Sequence, residues 1–298
     1  MNSGTAPRPV VVGVDGSLDS RAGVRAAIDE ARLRRAPLRM VTITTWPIRD
    51  ASRRSVRTTE LVGVVRGGAE VLLRDLAAEA ADLLGPERVT WSVEDGDAVG
   101  GLAAAAGDAQ LLVVGARGVG GVAGLLLGST AAGLVTAAPC PLMVLPDETA
   151  VVVRDRASVV VGVEGSPEDE EVLAFAVAEA VARDTELVAV HAWQDAVLET
   201  AFRSMGPLVD WAGVLADEEL VLSEALAGWQ EAEPDLVVRE VVVRDRAAAA
   251  LLSAGLTAQL LVVGHRHRRR LDRLGSVTHA VLHRAGCPLA VVPIGGAQ

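Results

Sequence analysis

Residues 111–130 read LLVVGARGVGGVAGLLLGST and join a short apolar run to the start of a helical pattern. Glycine adopts positive φ without steric cost and lets the backbone come close to a ligand. The N-terminus of a helix attracts anions through its N–H groups and its dipole, and Ser129 is predicted to cap the helix that follows. This order of strand, glycine loop and helix start predicts a phosphate-binding loop. Its glycines are Gly115, Gly118, Gly120, Gly121, Gly124 and Gly128.

The composition predicts a two-domain α/β protein. Half of the 298 residues are hydrophobic and only 2% are aromatic, and valine-rich runs alternate with alanine-rich amphipathic runs. This alternation is typical of a parallel sheet covered by helices on both faces. No apolar run approaches the roughly 18–20 residues of a membrane helix, and the first residues lack the apolar segment of a signal peptide. We therefore expect a cytoplasmic protein that does not contact a membrane.

The charge pattern excludes several classes of function. The chain has 28 basic residues, all arginine, against 39 acidic residues, for a net charge of −11. An acidic chain is not expected to bind nucleic acid. The lack of lysine excludes a Walker-A loop and Schiff-base chemistry. Cys140 and Cys287 both begin a C-P-L segment at the start of a short apolar run, and we interpret them as packing residues rather than a disulfide or metal pair.

The first half of the chain alternates strand and helix patterns. Strands alternating with helices predict a doubly wound sheet, for which we expect the strand order 3-2-1-4-5. Ser17 or Asp19 is predicted to cap the first helix. The predicted strands are 10–14, 38–44, 89–93, 111–114 and 142–145; the predicted helices end near residues 35, 84, 106 and 138, with a loop at 46–59 before the second.

The second half repeats the first. VVVGVDGS at 10–17 returns as VVVGVEGS at 159–166, and AQLLVVG at 109–115 returns unchanged at 258–264. Both offsets are 149, whereas the C-P-L segments are offset by 147. The repeat predicts two similar domains, residues 1–147 and 158–298, with a linker near 147–157 and a glycine loop two residues shorter in the second domain.

The doubly wound topology predicts where a ligand binds. Ligands bind beyond the carboxyl ends of the strands, where the strand order reverses, which here lies between the first and fourth strands. These strands end at Asp15 and Gly115. Asp15 could accept hydrogen bonds from ribose hydroxyls or a base, or it could merely cap the Asp-Gly turn. Gly118, Gly128 and Ser129 are positioned to receive phosphates.

These residues resemble a known family. From Gly115 to Ser129 the chain matches the universal stress protein motif G-x2-G-x9-G-[S/T] without a gap, and the VDGS turn and the C-P-L strand are similar to that family as well. The resemblance covers nearly the whole chain as two tandem domains. It implies five-stranded parallel sheets, nucleotide binding (usually ATP) and pairing of the domains through their last strands.

The resemblance also implies a set of nucleotide-binding residues. Asp15 and the backbone near Ile43 would hold the adenosine, Gly115 would lie against the ribose, and the phosphates would meet the glycine loop and the helix start. A divalent ion such as Mg would accompany the phosphates without a dedicated set of protein ligands. The full set is Asp15, Gly16, Ile43, Gly115, Arg117, Gly118, Gly128, Ser129 and Thr130.

The second half departs from this pattern. His267 stands where the second glycine belongs, and Glu164 replaces the aspartate. The loop is rich in arginine, which suggests either a site for phosphate, a polyanion or an acidic partner, or a solvated loop; its arginines are Arg266, Arg268, Arg269, Arg270 and Arg273. His279 and His283 are spaced to share one helix face, but without further ligands we favour a helix surface over a metal site.

Three functions remain open from the sequence. The first is an ATP-binding stress-response regulatory protein whose nucleotide occupancy sets conformation or partner choice. The second is a slow ATPase or nucleotidyl-transfer enzyme on the same fold, and the third is a ligand-free interaction protein. We favour the first, because no general base or other catalytic residue is recognisable. We expect the two domains to form an intramolecular pseudo-dimer, which can form a further homodimer and bind a protein partner.

Overall fold

The computed structural model describes residues 7–45, 56–118, 127–146, 158–193, 210–266 and 275–295. The chain divides into two compact units, Met1–Thr149 and Ala150–Gln298. The predicted linker at 147–157 and the glycines at 120, 121 and 124 lie outside the described residues.

The first unit contains a five-stranded parallel sheet. The strand order is β3-β2-β1-β4-β5, and each neighbouring pair is parallel, which confirms the predicted winding. The central strand is fully buried, because Val10, Val11 and Val12 pack under helices on both faces. The strands are β1 Val10–Gly13, β2 Leu38–Thr44, β3 Val89–Asp95, β4 Leu111–Gly115 and β5 Leu142–Leu145.

Helices cover both faces of this sheet. In the first helix, small buried residues such as Ala27 and Ala31 let the helix approach the strands closely. The second helix begins by Val56, within the predicted 46–59 loop, because no proline or glycine interrupts the chain between 56 and 62. The helices are α1 Leu18–Leu33, α2 Val56–Leu84, α3 Ala98–Ala105 and α4 Ser129–Ala137, and a 3-10 turn spans Pro86–Arg88.

The two halves of α2 differ in packing. Leu73, Leu76 and Ala80 anchor the C-terminal half, whereas none of residues 61–72 is buried, although most of them are apolar. Arg66 ties this N-terminal half to β3: its guanidinium donates to the Val93 carbonyl at 2.9 Å and pairs with the Asp95 carboxylate at 3.2 Å. The N-terminal half of α2 is therefore held by polar contacts more than by core packing.

The second unit repeats the same winding. Its sheet has the order β10-β9-β6-β7-β8 with parallel neighbours, as the repeat predicted. The strands are β6 Val159–Gly162, β7 Leu187–Ala192, β8 Val238–Val243, β9 Leu260–Arg266 and β10 Leu289–Ile294. The helices are α5 Asp169–Ala182, α6 Trp211–Ala232, α7 Ala247–Gly255 and α8 Ser276–Leu282.

Both cysteines are core residues. Cys140 and Cys287 are buried and not disulfide-bonded, which confirms that they serve as packing residues. Burial raises the pKa of each thiol to about 11. Across the described ranges, no helix is both long enough and apolar enough to span a bilayer.

Candidate functional site

A cavity of about 1060 Å³ opens in the first unit where β1 and β4 diverge. The carboxyl ends of β1, β2 and β4, the start of α4 and the faces of α2 and α3 line it. Gly16 does not line the cavity but occupies the turn after β1 with φ 86°. The other eight predicted site residues all line it: Asp15, Ile43, Gly115, Arg117, Gly118, Gly128, Ser129 and Thr130.

Asp15 caps the turn after β1 and also faces the glycine loop. Its Oδ1 accepts hydrogen bonds from the Ser17 amide at 3.0 Å and the Ser17 hydroxyl at 2.7 Å, and Ser17 in turn caps α1. Its Oδ2 lies beside Gly118, where an added Cβ would come within 2.4 Å of that oxygen. The turn-capping interpretation is therefore correct for one carboxylate oxygen, while the other lies against the loop more than 100 residues away in sequence.

A half-buried ion pair fixes the chain as it leaves β4. Asp19 is 6% exposed, and its Oδ2 accepts from both the backbone amide and the Nε of Arg117, each at 3.2 Å. Gly115 is required beside it, because a Cβ there would lie 2.7 Å from the backbone carbon of Asp19. From the sequence, Asp19 is predicted only as a helix cap; an acidic residue in the first turn after a ligand-facing turn is the signal that could have identified it.

The start of α4 differs from the prediction. Gly128, not Ser129, is the N-cap, and Ser129 is the first helical residue, so the predicted Ser129 cap is wrong. The Gly128 amide donates to the Ala116 carbonyl at 2.7 Å, and a Cβ at 128 would lie 3.3 Å from that oxygen, so this close approach favours glycine. A glycine cap has no side-chain oxygen for the first-turn amides of α4, which leaves them as donors at the edge of the cavity.

The other end of the cavity is largely apolar. Thr42 lines it, but its hydroxyl already donates to the Val14 carbonyl at 2.8 Å. The wall from α2 and α3 is not predicted by the sequence pattern, since helix orientation on a sheet depends on tertiary packing. The apolar lining residues at this end are Val41, Ile43, Val65, Ala69, Leu72 and Leu102.

The cavity is nearly neutral. Among its described lining residues only Asp15 and Arg117 are charged. An anion there would be held chiefly by backbone amides and hydroxyls, with one guanidinium nearby. Within the described ranges, no group of three or more His, Cys, Asp or Glu residues is placed to hold a metal ion.

In the second unit the corresponding arginine lies between two glutamates. Arg266, the counterpart of Arg117, donates to Glu164 at 2.8 Å and lies 3.7 Å from Glu168, the counterpart of Asp19. Asp169 caps the turn instead, since its Oδ2 accepts from the Ser166 amide at 2.8 Å and the Glu164 amide at 3.1 Å. Arg266 thus pairs with the counterparts of both Asp15 and Asp19, and its shorter contact is with Glu164.

The loop and the histidines of the second unit also differ from the first. His267 and the arginines at 268, 269, 270 and 273 lie outside the described residues. The rings of His279 and His283 are 4.5 Å apart at the end of α8. Desolvation, reinforced by the neighbouring His279, lowers the pKa of His283, which favours the neutral ring.

The repeated winding and the repeated sequence segments define a tandem, doubly wound α/β protein. The sequence profile of the Universal stress protein family matches residues 7–146 and again residues 156–293. The chain is 37% identical over 302 residues to a universal stress protein of Mycobacterium tuberculosis, covering 95% of this chain and 96% of that protein. A second universal stress protein of that organism is 35% identical over 305 residues, covering 98% of each. The chain therefore belongs to the universal stress protein family.

Solved structures support the same fold. A universal stress protein from Archaeoglobus fulgidus superposes with a TM-score of 0.67, covering 96% of this chain and 98% of that one. The two sequences are 16% identical, so this likeness concerns the fold alone.

Proposed function

We propose that the protein is an ATP-binding stress-response regulator whose nucleotide occupancy sets its conformation or its choice of partner. In this proposal residues 1–147 form the nucleotide-binding domain, and residues 158–298 form a second domain with a degenerate loop. The observation that carries the proposal is the convergence of Asp15, Gly118 and the α4 start on one cavity. The cavity volume of about 1060 Å³ is large enough for a small-molecule ligand such as a nucleotide.

Different cavity residues are suited to bind the phosphates, the ribose and the base of ATP. Amides around Gly128 and Ser129 would hold the phosphates, aided by Arg117, which Asp19 keeps in place. Asp15 would accept from the ribose, and the base would lie in the apolar end near Ile43. Mg would be bound mainly by phosphates and water, with Asp15 as the nearest lining carboxylate, because this ion commonly keeps much of its hydration.

The lining favours binding over catalysis. Among the described lining residues there is no His, Cys, Lys or Glu, and Asp15 already accepts two hydrogen bonds from Ser17. The alternative is a slow ATPase or nucleotidyl-transfer enzyme with Asp15 as its acid–base group, and the position of this carboxylate at the cavity supports it. Steady-state phosphate release separates the two: turnover above about 1 s⁻¹ favours the enzyme.

The proposal is tested by identifying the ligand. Mass spectrometry of small molecules released from the purified protein should find ATP, and calorimetric titration of nucleotide-free protein should show one tight site per chain. Protein that releases no nucleotide and gives no titration signal would instead support a ligand-free interaction protein. The cytoplasmic location, the pseudo-dimer through the last strands, a further homodimer and the protein partner stay predictions.

A further inference from the structure

The repeat lets the two crevices be compared residue by residue. The offset of 149 pairs Thr42 with His191 and Val14 with Val163. Thr42 Oγ1 donates to the Val14 carbonyl at 2.8 Å, and His191 Nδ1 lies 2.9 Å from the Val163 carbonyl. Because a carbonyl oxygen only accepts, Nδ1 carries the hydrogen. Thr42 and His191 therefore make the same contact, so they are equivalent in the structure as well as in the sequence repeat.

His191 and Glu218 form a pair that the first unit lacks. Glu218 is the counterpart of Ala69, which lines the cavity of the first unit. His191 Nε2 lies 2.6 Å from Glu218 Oε2, and His191 is only 5% exposed. Where the first unit has the hydroxyl of Thr42 and the methyl group of Ala69, the second unit has an imidazole and a carboxylate. These two groups join β7 to α6.

The helix beside this pair also lies closer to the turn. A Cβ at Gly16 would lie 3.4 Å from Leu72 Cδ2, whereas a Cβ at Gly165 would lie 2.2 Å from Cγ1 of Val221, the counterpart of Leu72. The space between the strand end and this helix is therefore narrower in the second unit.

The outer end of the second crevice carries bulky aromatic residues. Trp193, the counterpart of Thr44, stacks on Trp211 with ring centroids 6.2 Å apart. Arg244, the counterpart of Asp95, lies 3.7 Å from the Trp211 ring centroid. A threonine and an aspartate in the first unit are thus replaced by a tryptophan and an arginine packed against a second tryptophan.

We propose that the second unit is closed to nucleotide by its own side chains, with His191 and Glu218 as the specificity-determining residues. The pair stands at the positions of Thr42 and Ala69, which line the cavity of the first unit. The Arg266–Glu164 ion pair likewise stands at the positions of Arg117 and Asp15. The inference extends the proposed function, because it assigns the single nucleotide site of each chain to the first unit and explains why the second lacks one.

The direct test restores the first unit's residues in the second. H191T/E218A keeps a hydroxyl for the Val163 carbonyl and removes the bulk, while E218Q keeps the bulk and serves as the matched control. ATP titration of the full chain should give one site for wild type and for E218Q, and an additional weaker site for the double variant. Photolabelling with 8-azido-ATP, followed by peptide mapping, should place the new label in the second unit.

The outcomes separate this inference from the proposed function. Two equivalent sites in wild type, or no additional site in the folded double variant, would overturn the inference. Wild type without any site would overturn the proposed function, and a site gained in the double variant would still support the inference.

If H191T/E218A fails to fold, the reciprocal variant in the first unit tests the same inference. T42H/A69E places the pair in the first unit and should weaken ATP binding at least tenfold. V71E puts the same charge on an exposed position of the same helix and should change the affinity less than twofold. A T42H/A69E protein that keeps wild-type affinity would overturn the inference.

Discussion

Gly118→Ala tests the contact between the glycine loop and Asp15. The added Cβ would lie 2.4 Å from Asp15 Oδ2, about 1 Å closer than an ordinary van der Waals contact. Since Oδ1 is held by the Ser17 amide at 3.0 Å and by its hydroxyl at 2.7 Å, the carboxylate cannot shift without losing those bonds or turning Oδ2 away. We therefore expect the substitution to displace the group proposed to bind the ribose.

The expected magnitude follows from the lost interaction. A hydrogen bond to a charged group contributes about 1.5–3 kcal/mol, so the dissociation constant for ATP should rise roughly 10- to 150-fold. Gly118→Val adds more bulk and should abolish measurable binding. The free energy of unfolding should change by less than about 1 kcal/mol, because Gly118 is at the surface of the cavity rather than in the core.

Calorimetric titration with ATP measures this effect, and thermal unfolding checks the fold. Gly63→Ala is the matched control, since a Cβ at that exposed position in α2 meets nothing within 4 Å. A folded Gly118→Ala protein with affinity within twofold of wild type would show that the Asp15–Gly118 contact is not part of the nucleotide site.

Three further predictions concern two glycines and the two buried cysteines. Gly128→Asp should abolish ATP binding in the same titration while the protein stays folded, because it adds a negative charge where phosphate is expected; retained binding would move the site elsewhere. Gly63→Ala should raise the free energy of unfolding in urea by about 0.5–1 kcal/mol, since glycine is unfavourable inside a helix, and a decrease would reveal a contact at that face. Because burial raises the pKa of the Cys140 and Cys287 thiols to about 11, folding favours the protonated thiols, and that contribution is complete below about pH 9. Stability should therefore fall between about pH 9 and 11 by up to roughly 1.4 kcal/mol per pH unit for each thiol. A C140A/C287A variant with an equally steep decline would contradict this assignment.

The sequence is sufficient to predict the strand order of each sheet, because each strand and helix has its own local pattern. The second half of the chain shows the same patterns again. The sequence also locates the crevice, since the ends of β1 and β4 follow from the strand order. Ser129 was mistaken for the N-cap because serine is favoured there in general. The approach of Gly128 to the Ala116 carbonyl decided otherwise, and that contact exists only in the folded chain.

Other features of the two units depend on tertiary structure in the same way. The burial of Asp19 depends on β4 packing against α1, so its spacing alone could not distinguish it from an exposed first-turn carboxylate. The pairing of His191 with Glu218 joins residues 27 apart on a strand and a helix, and no local pattern predicts it. The sequence therefore predicts the strands and helices well, but it does not predict the contacts between them.

The packing of α2 has a consequence for hydrogen exchange. Amides protected only by local structure exchange through small openings, whereas amides in the core require global unfolding. The α2 residues that line the cavity belong to the half without buried anchors: Val65, Gly68, Ala69 and Leu72. Leu73 and Leu76 belong to the core. Exchange should therefore be fast over 61–71 and slow from residue 73 onward. A nucleotide lying against this wall would slow exchange most in the fast segment, so one helix would report both occupancy and global stability.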